Sequence, residues 1–262
     1  MAFEFLRPFK VAKERVGRNW DGGYVLESDS LSSVEVTYSY GVGWELSFEK
    51  ALYSRTHKTI RLFDPTLFDM GNIPTQSKRG LYWLGRYVAK VVYFKSILLS
   101  LPLRGYGLKF YNEGLSKSKN GKYNSFTNHL AEFGDEGKKV LLKIDIEGGE
   151  YEMFEDEKFL KSLDNVVQIA MELHDLESEL GRVEKIVQRL SDRFSVVHFH
   201  ANNYGYLFES RGKKVPSVIE LTFLNNAYLK QRVADTAPLP VSNLDYPNDP
   251  QKPDIELSHL FS

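Results

Sequence analysis

The chain has 262 residues, 42% apolar and 26% charged, enough for one large α/β domain or two small ones with a sizeable buried core. Lys plus Arg number 34 and Asp plus Glu 35; a net charge of −1 argues against a dedicated nucleic-acid binder, which carries a basic excess. With no cysteine, disulfides, Cys-ligated metals and thiol nucleophiles are excluded, and a reducing compartment fits. The opening MAFEFLRPFKVAKERVG lacks the uninterrupted apolar core of a signal peptide, so a soluble cytoplasmic protein is expected.

In chain order, Val34 to Tyr40 (VEVTYSY) reads as a strand ending at Gly41-Val42-Gly43, and Trp44 to Tyr53 has helical spacing. Thr59 to Phe63 is a second strand, closed by Asp64-Pro65, and Leu108 to Tyr111 a third. Val140 to Ile146 and Val166 to Leu173 are the strongest strand signals. Ser178 to Phe194 is an amphipathic helix with Leu180, Val183, Ile186, Val187, Leu190 and Phe194 on one stripe. Ser195 to His200 and Val218 to Leu224 complete the strands. Strands separated by helices indicate a mostly parallel sheet covered on both faces. From Ala234 onward lie five of the ten prolines, so this tail cannot continue the sheet and is expected to wrap the surface or a neighbour as extended chain.

The near-zero net charge hides a segregation. Gly71 to Tyr123 holds ten cations, including Lys78, Arg79, Arg86, Lys90 and Lys95, against the single acid Glu113, whereas Ala131 to Asp164 holds eleven acids against five lysines. The basic segment reads either as a landing surface for an anionic ligand or as a solvated helix face. Within it, Leu81 to Leu101 is the most apolar stretch, but Arg86, Lys90 and Lys95 interrupt it too often for a membrane span. A core helix, a subunit-contact helix and an interfacial helix on an anionic membrane remain open.

The Gly41-Val42-Gly43 turn lets backbone approach a ligand, and Asp64, 21 residues after Gly43 at the end of the next strand, can accept both ribose hydroxyls. Leu46 stands where a dinucleotide fingerprint needs a small residue, and Glu45 puts a negative charge where a pyrophosphate would lie. A ligand with a ribose and no phosphate fits better, and S-adenosylmethionine is the common one. The most distinctive stretch is Lys143-Ile144-Asp145-Ile146-Glu147-Gly148-Gly149-Glu150, whose alternation puts Asp145 and Glu147 on one side of a strand end. Glu172 and His174 end the next strand, and His198 and His200 lie in phase on the one after. Such a cluster serves either a general base or a divalent metal. Asp145 with Glu172 suits Mg²⁺ or Mn²⁺, and an added histidine shifts the preference toward Mn²⁺.

These residues resemble the FkbM-type methyltransferases, a branch of the class I S-adenosylmethionine-dependent fold. LKIDIEGGEYEMF, from Leu142 to Phe154, is close to that family's K-I-D-x-E-G-x-E signature. YSYGVGWELSFE from Tyr38, RLFDPT from Arg61, DGGYVL from Asp21, and the endings MELHD and HFHANN are similar to a subgroup of it, so that the resemblance spans Arg18 to about Asn226. It implies an α/β, Rossmann-like class I methyltransferase fold: a seven-stranded, mostly parallel sheet with helices on both faces and the last strand antiparallel. It implies S-adenosylmethionine at Gly41, Gly43 and Asp145, Asp64 on the ribose, and Ser116 beside Leu115 on the adenine side. The departure is an insertion at about 71–106, helical and basic, within a domain of residues 1–233 followed by the proline-rich tail, 234–262.

The expected activity is O-methylation of a sugar hydroxyl on a nucleotide-linked sugar or surface-polysaccharide precursor. His174 and His200 are the candidate bases, with Glu172 and Asp145 positioning them or binding a divalent metal. Asp21, Tyr24, Glu147, His198 and Asn202 are the candidate substrate contacts. The basic insertion would attract an anionic substrate, and the 81–101 helix would mediate self-association or a weak membrane-surface contact. No nucleic-acid partner is expected. The rivals are a nicotinamide-dependent sugar oxidoreductase and a non-catalytic, membrane-surface binding module on the same fold.

Overall fold

A computed structural model describes residues 2–69 and 80–261. Lys78, Arg79 and the start of the expected insertion therefore lie outside the described residues. The chain opens with a hairpin, β1 (Lys13–Val16) and β2 (Tyr24–Glu27), followed by β3 (Val36–Tyr40), α1 (Ser47–Thr56) and β4 (Thr59–Phe63). A long helix, α2 (Gly80–Leu103), leads to β5 (Leu108–Tyr111), the short pair β6 (Gly114–Leu115) and β7 (Tyr123–Asn124), and α3 (Phe126–Glu132). Then come β8 (Val140–Ile144), α4 (Glu150–Glu155), α5 (Glu157–Ser162), β9 (Val166–Leu173) and α6 (Leu176–Leu190). The last elements are β10 (Phe194–Ala201), a hairpin of β11 (Leu207–Ser210) and β12 (Lys213–Pro216), and β13 (Ile219–Asn225).

The main sheet has seven strands in the order β10-β13-β9-β8-β3-β4-β5. Neighbours from β9 to β5 are parallel, and β13 runs antiparallel to both β9 and β10. This is a doubly wound, mostly parallel sheet with one antiparallel strand inserted near its edge. Its strand order reverses between β3 and β8, and in such sheets a crevice opens outside the carboxyl ends of the strands at that point.

Both faces of the sheet are covered, which explains why its strands read as nearly continuous apolar runs. Helices α3 to α6 pack on one face through Phe126, Leu130, Tyr151, Phe154, Phe159 and the α6 stripe. Leu176, Leu180, Val183, Ile186 and Leu190 form that stripe, at helical spacing. Phe194 was expected to extend the helix but instead opens β10. The other face carries α1, α2 and the first hairpin through Phe48, Leu52, Phe94, Leu101, Tyr24 and Leu26. Gln168 on β9 seats the hairpin: its side chain accepts from the Glu27 N–H and donates to the Glu27 carbonyl, each at 2.8 Å. A buried amide satisfied on both its atoms fixes register as well as depth.

The tail folds back along the β10–β13 end of the sheet. Leu239, Leu257 and Leu260 are buried in the core, and Asp245, Asn248 and Asp254 reach polar side chains on β10 and β13. Contrary to expectation, the tail is not uniformly extended: it turns at 241–245 and at 249–252 and ends in a 3-10 turn, Ser258–Phe261, and its apolar residues dock beside these turns.

Candidate functional site

A cavity of about 960 Å³ lies at the carboxyl end of the sheet. Its walls are the turns that follow β3, β4, β8, β9 and β10, with Asp21 to Tyr24 on one side and Gly114-Leu115 on another. Apolar groups line the β4 and β6 side (Pro65, Leu67, Leu115), and carboxylates crowd the β8 and β9 side.

The strand ends at the switch point touch backbone to backbone. The Asp145 N–H donates to the Tyr40 carbonyl at 3.1 Å, and a Cβ on Gly41 would sit 1.5 Å from the Asp145 carbonyl oxygen. Gly41 also has φ +74°, so glycine is required there twice over. Gly43, at φ +61°, donates its N–H to Oδ2 of Asp64 at 2.9 Å. Oδ1 of Asp64 accepts from the Thr66 N–H and hydroxyl and from the Leu67 N–H. Asp64 is therefore held by its own turn, with Oδ1 taken, and it offers a ribose one oxygen rather than two. Leu115 lines this cavity, but Ser116 does not: it lines a separate recess of about 300 Å³, where its hydroxyl donates to the Ser118 carbonyl.

The acidic cluster is built from the β8 and β9 ends. Strand β8 stops at Ile144, so Asp145 and Glu147 share the cavity through a turn and not through strand alternation, with Glu147 at φ +56°. Oδ2 of Asp145 accepts from the Tyr24 hydroxyl at 3.0 Å and from Nζ of Lys143 at 3.1 Å; Lys143 also donates to the Gly41 carbonyl. Burial would discharge Lys143, but Asp145 and Glu49 hold its pKa above the usual range. Burial, then the neighbouring carboxylates, push the Tyr24 hydroxyl well up, so it stays a hydrogen-bond donor. Asp21, on the cavity wall, is raised chiefly by burial, against the opposing charge of Arg18.

His174 sits among four acids. Its Nδ1 lies 3.2 Å from Oε1 of Glu150, and its Nε2 lies 3.5 Å from Glu147 and from Glu172. Burial lowers its pKa, but the Glu150 hydrogen bond and the charges of Glu172, Glu150 and Asp145 outweigh that and push it up to about 9. Glu172 is raised well above the carboxylate range by burial and by Asp145 and Glu220. Its Oε1 accepts from Nδ2 of Asn202 at 2.8 Å. Like charges in a dry site cannot all ionise, so this cluster retains protons that a bound cation would displace. Glu150, fully buried, accepts from the Ile146 and Gly148 N–H groups and thereby shapes the turn that carries Glu147.

Asp145, Glu147 and His174 each offer a ligand atom, all within 4.8 Å of one another. Two oxygens and one imidazole nitrogen suit Mn²⁺ better than Mg²⁺. The expected metal pair was Asp145 with Glu172; the candidate triad shares Asp145 with it and adds Glu147 and His174, while Glu172 lies 3.5 Å from His174 and accepts from Asn202.

Besides Ser116, two expected site residues do not reach the cavity. His198 and His200 were expected at a strand end, but β10 continues to Ala201, so both lie inside the strand and are at most 2% exposed. Nε2 of His198 pairs with Asp245 at 2.8 Å. His200 is clamped between Glu220, at 3.3 Å from Nδ1, and Asp254, at 3.1 Å from Nε2. Burial disfavours its charge, yet the bonds to Asp254 and Glu220 push it up to about 10. Shut away from the cavity and clamped by the chain's own carboxylates, His200 is corrected from candidate base to anchor of the tail, and His198 from substrate contact to a second anchor. Asp21, Tyr24, Glu147, Asn202, Glu172 and His174 do line the cavity. The residues given no role from sequence are Lys143, Glu150 and Asp175. Lys143 had a signal, since a lysine within VLLKIDI must find a counter-charge.

Residues 111–208 match the family model of the methyltransferase FkbM domain. No curated protein sequence matches the chain. Among solved structures, the chain is similar to the 23S rRNA methyltransferase ErmE, with 10% identity and a TM-score of 0.41, over 76% of this chain and 64% of that one. It is also similar to a Clostridium thermocellum chain described as an rRNA methylase (10% identity, TM-score 0.41), over 75% of this chain and 90% of the other. A third is a Streptococcus pneumoniae chain described as a tRNA methyltransferase and solved with S-adenosyl-L-methionine (14% identity, TM-score 0.38), over 80% and 73%.

Proposed function

We propose, from the match of residues 111–208 to the methyltransferase FkbM domain model, that this protein is an S-adenosylmethionine-dependent O-methyltransferase of a sugar hydroxyl. The observation that carries the reading is the junction of a nucleoside cradle with a proton-holding cluster inside one cavity. Gly41, Gly43, Asp64 and Leu115 would hold the cofactor, which supplies an electrophilic methyl on sulfur. The cradle fits that group: Gly43 leaves open space where a side chain would stand, so a ligand can approach its backbone, and Oδ2 of Asp64 remains an acceptor. The carboxylates beyond it suit a cationic sulfonium.

His174 and Glu172 then face the acceptor, with Asp145 fixed beside them by Tyr24 and Lys143. An alcohol must lose its proton as its oxygen becomes a nucleophile, and a positioned base is worth ~10²–10⁴-fold. His174, pushed up to about 9, takes that proton only in its neutral form, so transfer through it should rise with pH toward that value. A metal at Asp145, Glu147 and His174 would bind and acidify the hydroxyl instead. Activity that survives exhaustive chelation would remove that variant.

The cavity wall has eight carboxylates (Asp21, Glu45, Glu49, Asp64, Asp145, Glu147, Glu172 and Asp175) and a single lysine, Lys143. We therefore read the acceptor as a sugar ring that enters uncharged, with any phosphate of a nucleotide carrier held outside, toward the cations. A pyrophosphate cofactor is disfavoured on the same ground: Glu45 already accepts from the Ser47 N–H at the start of α1, where a dinucleotide would dock. The test is calorimetry with S-adenosylhomocysteine against NAD, followed by mass spectrometry of nucleotide-linked and free sugars incubated with S-adenosylmethionine. Binding of NAD with no binding of S-adenosylhomocysteine would overturn the reading.

A further inference from the structure

Helix α2 is packed by one face and bare on the other. Phe94 and Leu101 are buried, Trp44 meets Tyr87 and Phe94 edge-on, and the Tyr87 hydroxyl donates to the Leu67 and Asp69 carbonyls. On the far side Val88, Val92, Leu99 and Leu103, at helical spacing, are 45%, 62%, 76% and 90% exposed, and Tyr93 is 68% exposed. An apolar stripe of this length is unusual on a surface that meets only water.

The charge in the sequence of α2 and its flanks has one sign. From Met70 to Asn112 the sequence holds seven cations and no acid. Of these, Arg86, Lys90 and Lys95 are exposed on α2 and Arg104 is exposed just past its end. Among the described residues, no helix is long and apolar enough to cross a membrane. A helix with an apolar stripe, flanking cations and no acid matches a bilayer interface, where the stripe enters the acyl boundary and the cations meet anionic headgroups.

We propose that the outer face of α2 docks this protein in the plane of an anionic phospholipid bilayer. A second copy is the poorer occupant, because pairing two such faces sets cations against cations as the stripes come together. The surface lies outside the cavity, and the proposal does not depend on the methyltransferase reading.

The test is co-sedimentation of the full chain with phosphatidylcholine vesicles, with and without phosphatidylglycerol, at low and high salt. Binding to the phosphatidylglycerol vesicles alone, weakened by salt, is expected. Val92→Glu with Leu99→Glu should reduce it by about tenfold or more, with an unchanged circular dichroism spectrum, since both side chains are exposed. Leu99→Ser with Leu103→Ser, which adds no charge, should weaken binding in the same direction. Absence of binding at low salt, equal binding to neutral vesicles, or binding indifferent to both pairs of substitutions would overturn the proposal. So would a dimer in light scattering that the Glu substitutions dissolve, which would give the face to a second copy.

Discussion

Two of the histidine–carboxylate clusters in the molecule are made from nearly the same residue types, and they do opposite things. At the β8 and β9 ends, His174 meets Glu147, Glu150 and Glu172 on the wall of a cavity. On β10, His198 and His200 meet Asp245, Glu220 and Asp254 beneath the tail. Both settings keep a histidine protonated, at about 9 for His174 and about 10 for His200. The difference is access. In the first cluster a ligand can replace the proton, whereas in the second every partner is the protein's own chain. Residue type alone does not distinguish a working site from a fastening; what covers it does.

The sharpest way to break this contrast is to remove each histidine in turn. His174→Ala should reduce methyl transfer by ~10²-fold or more with the thermal midpoint little changed. Full activity in that variant would remove the first cluster from the chemistry. His200→Ala should do the reverse. It strands Glu220 and Asp254 in a buried site, a loss of about 3 kcal/mol. At roughly 2–4 °C per kcal/mol for a chain of this size, the midpoint should fall by about 6–12 °C, while turnover of the folded enzyme stays near wild type.

The second cluster also has a pH signature. His200 titrates at about 10 in the folded chain against 6.5 when free. A folded pKa raised above the unfolded one contributes stability that is complete below pH 6.5 and is lost as pH rises through about 10. Urea midpoints of the wild type and of His200→Gln should therefore converge as pH rises over that window. A constant gap would mean that His200 acts through packing alone. Smaller still, Asp64→Asn should weaken S-adenosylhomocysteine binding by about tenfold, or ~1.4 kcal/mol, because one charged acceptor is replaced by a neutral amide. Ser116→Ala should change neither affinity nor turnover, since its recess is separate from the cavity.

The same contrast explains what the sequence made legible. The seven strands of the sheet follow from apolar runs bounded by turns, and the acids at the β8 and β9 ends follow from motif order. The role of His200 does not follow, because alternation places His198 and His200 on one face without saying which face, or how far the strand continues. A strand that runs to Ala201 moves both inside, and the partner Asp254 lies 54 residues away in the tail. Contacts of that range leave no periodic trace. Lys143 was visible as a charge in an apolar strand, two residues from its partner Asp145. Its second partner, the Gly41 carbonyl, and those of Glu150, the Ile146 and Gly148 amides and His174, come within reach only once the turns fold.

Glu150 has one more consequence. One carboxylate grips the turn after β8 through two amides and the ring at the end of β9 through Nδ1 of His174. The two loops are thereby yoked, and neither can drift, lengthen or be redesigned alone. Any change that alters which acceptor the enzyme takes at one of them must be answered at the other, so diversity at this site is expected to come in matched pairs of loops.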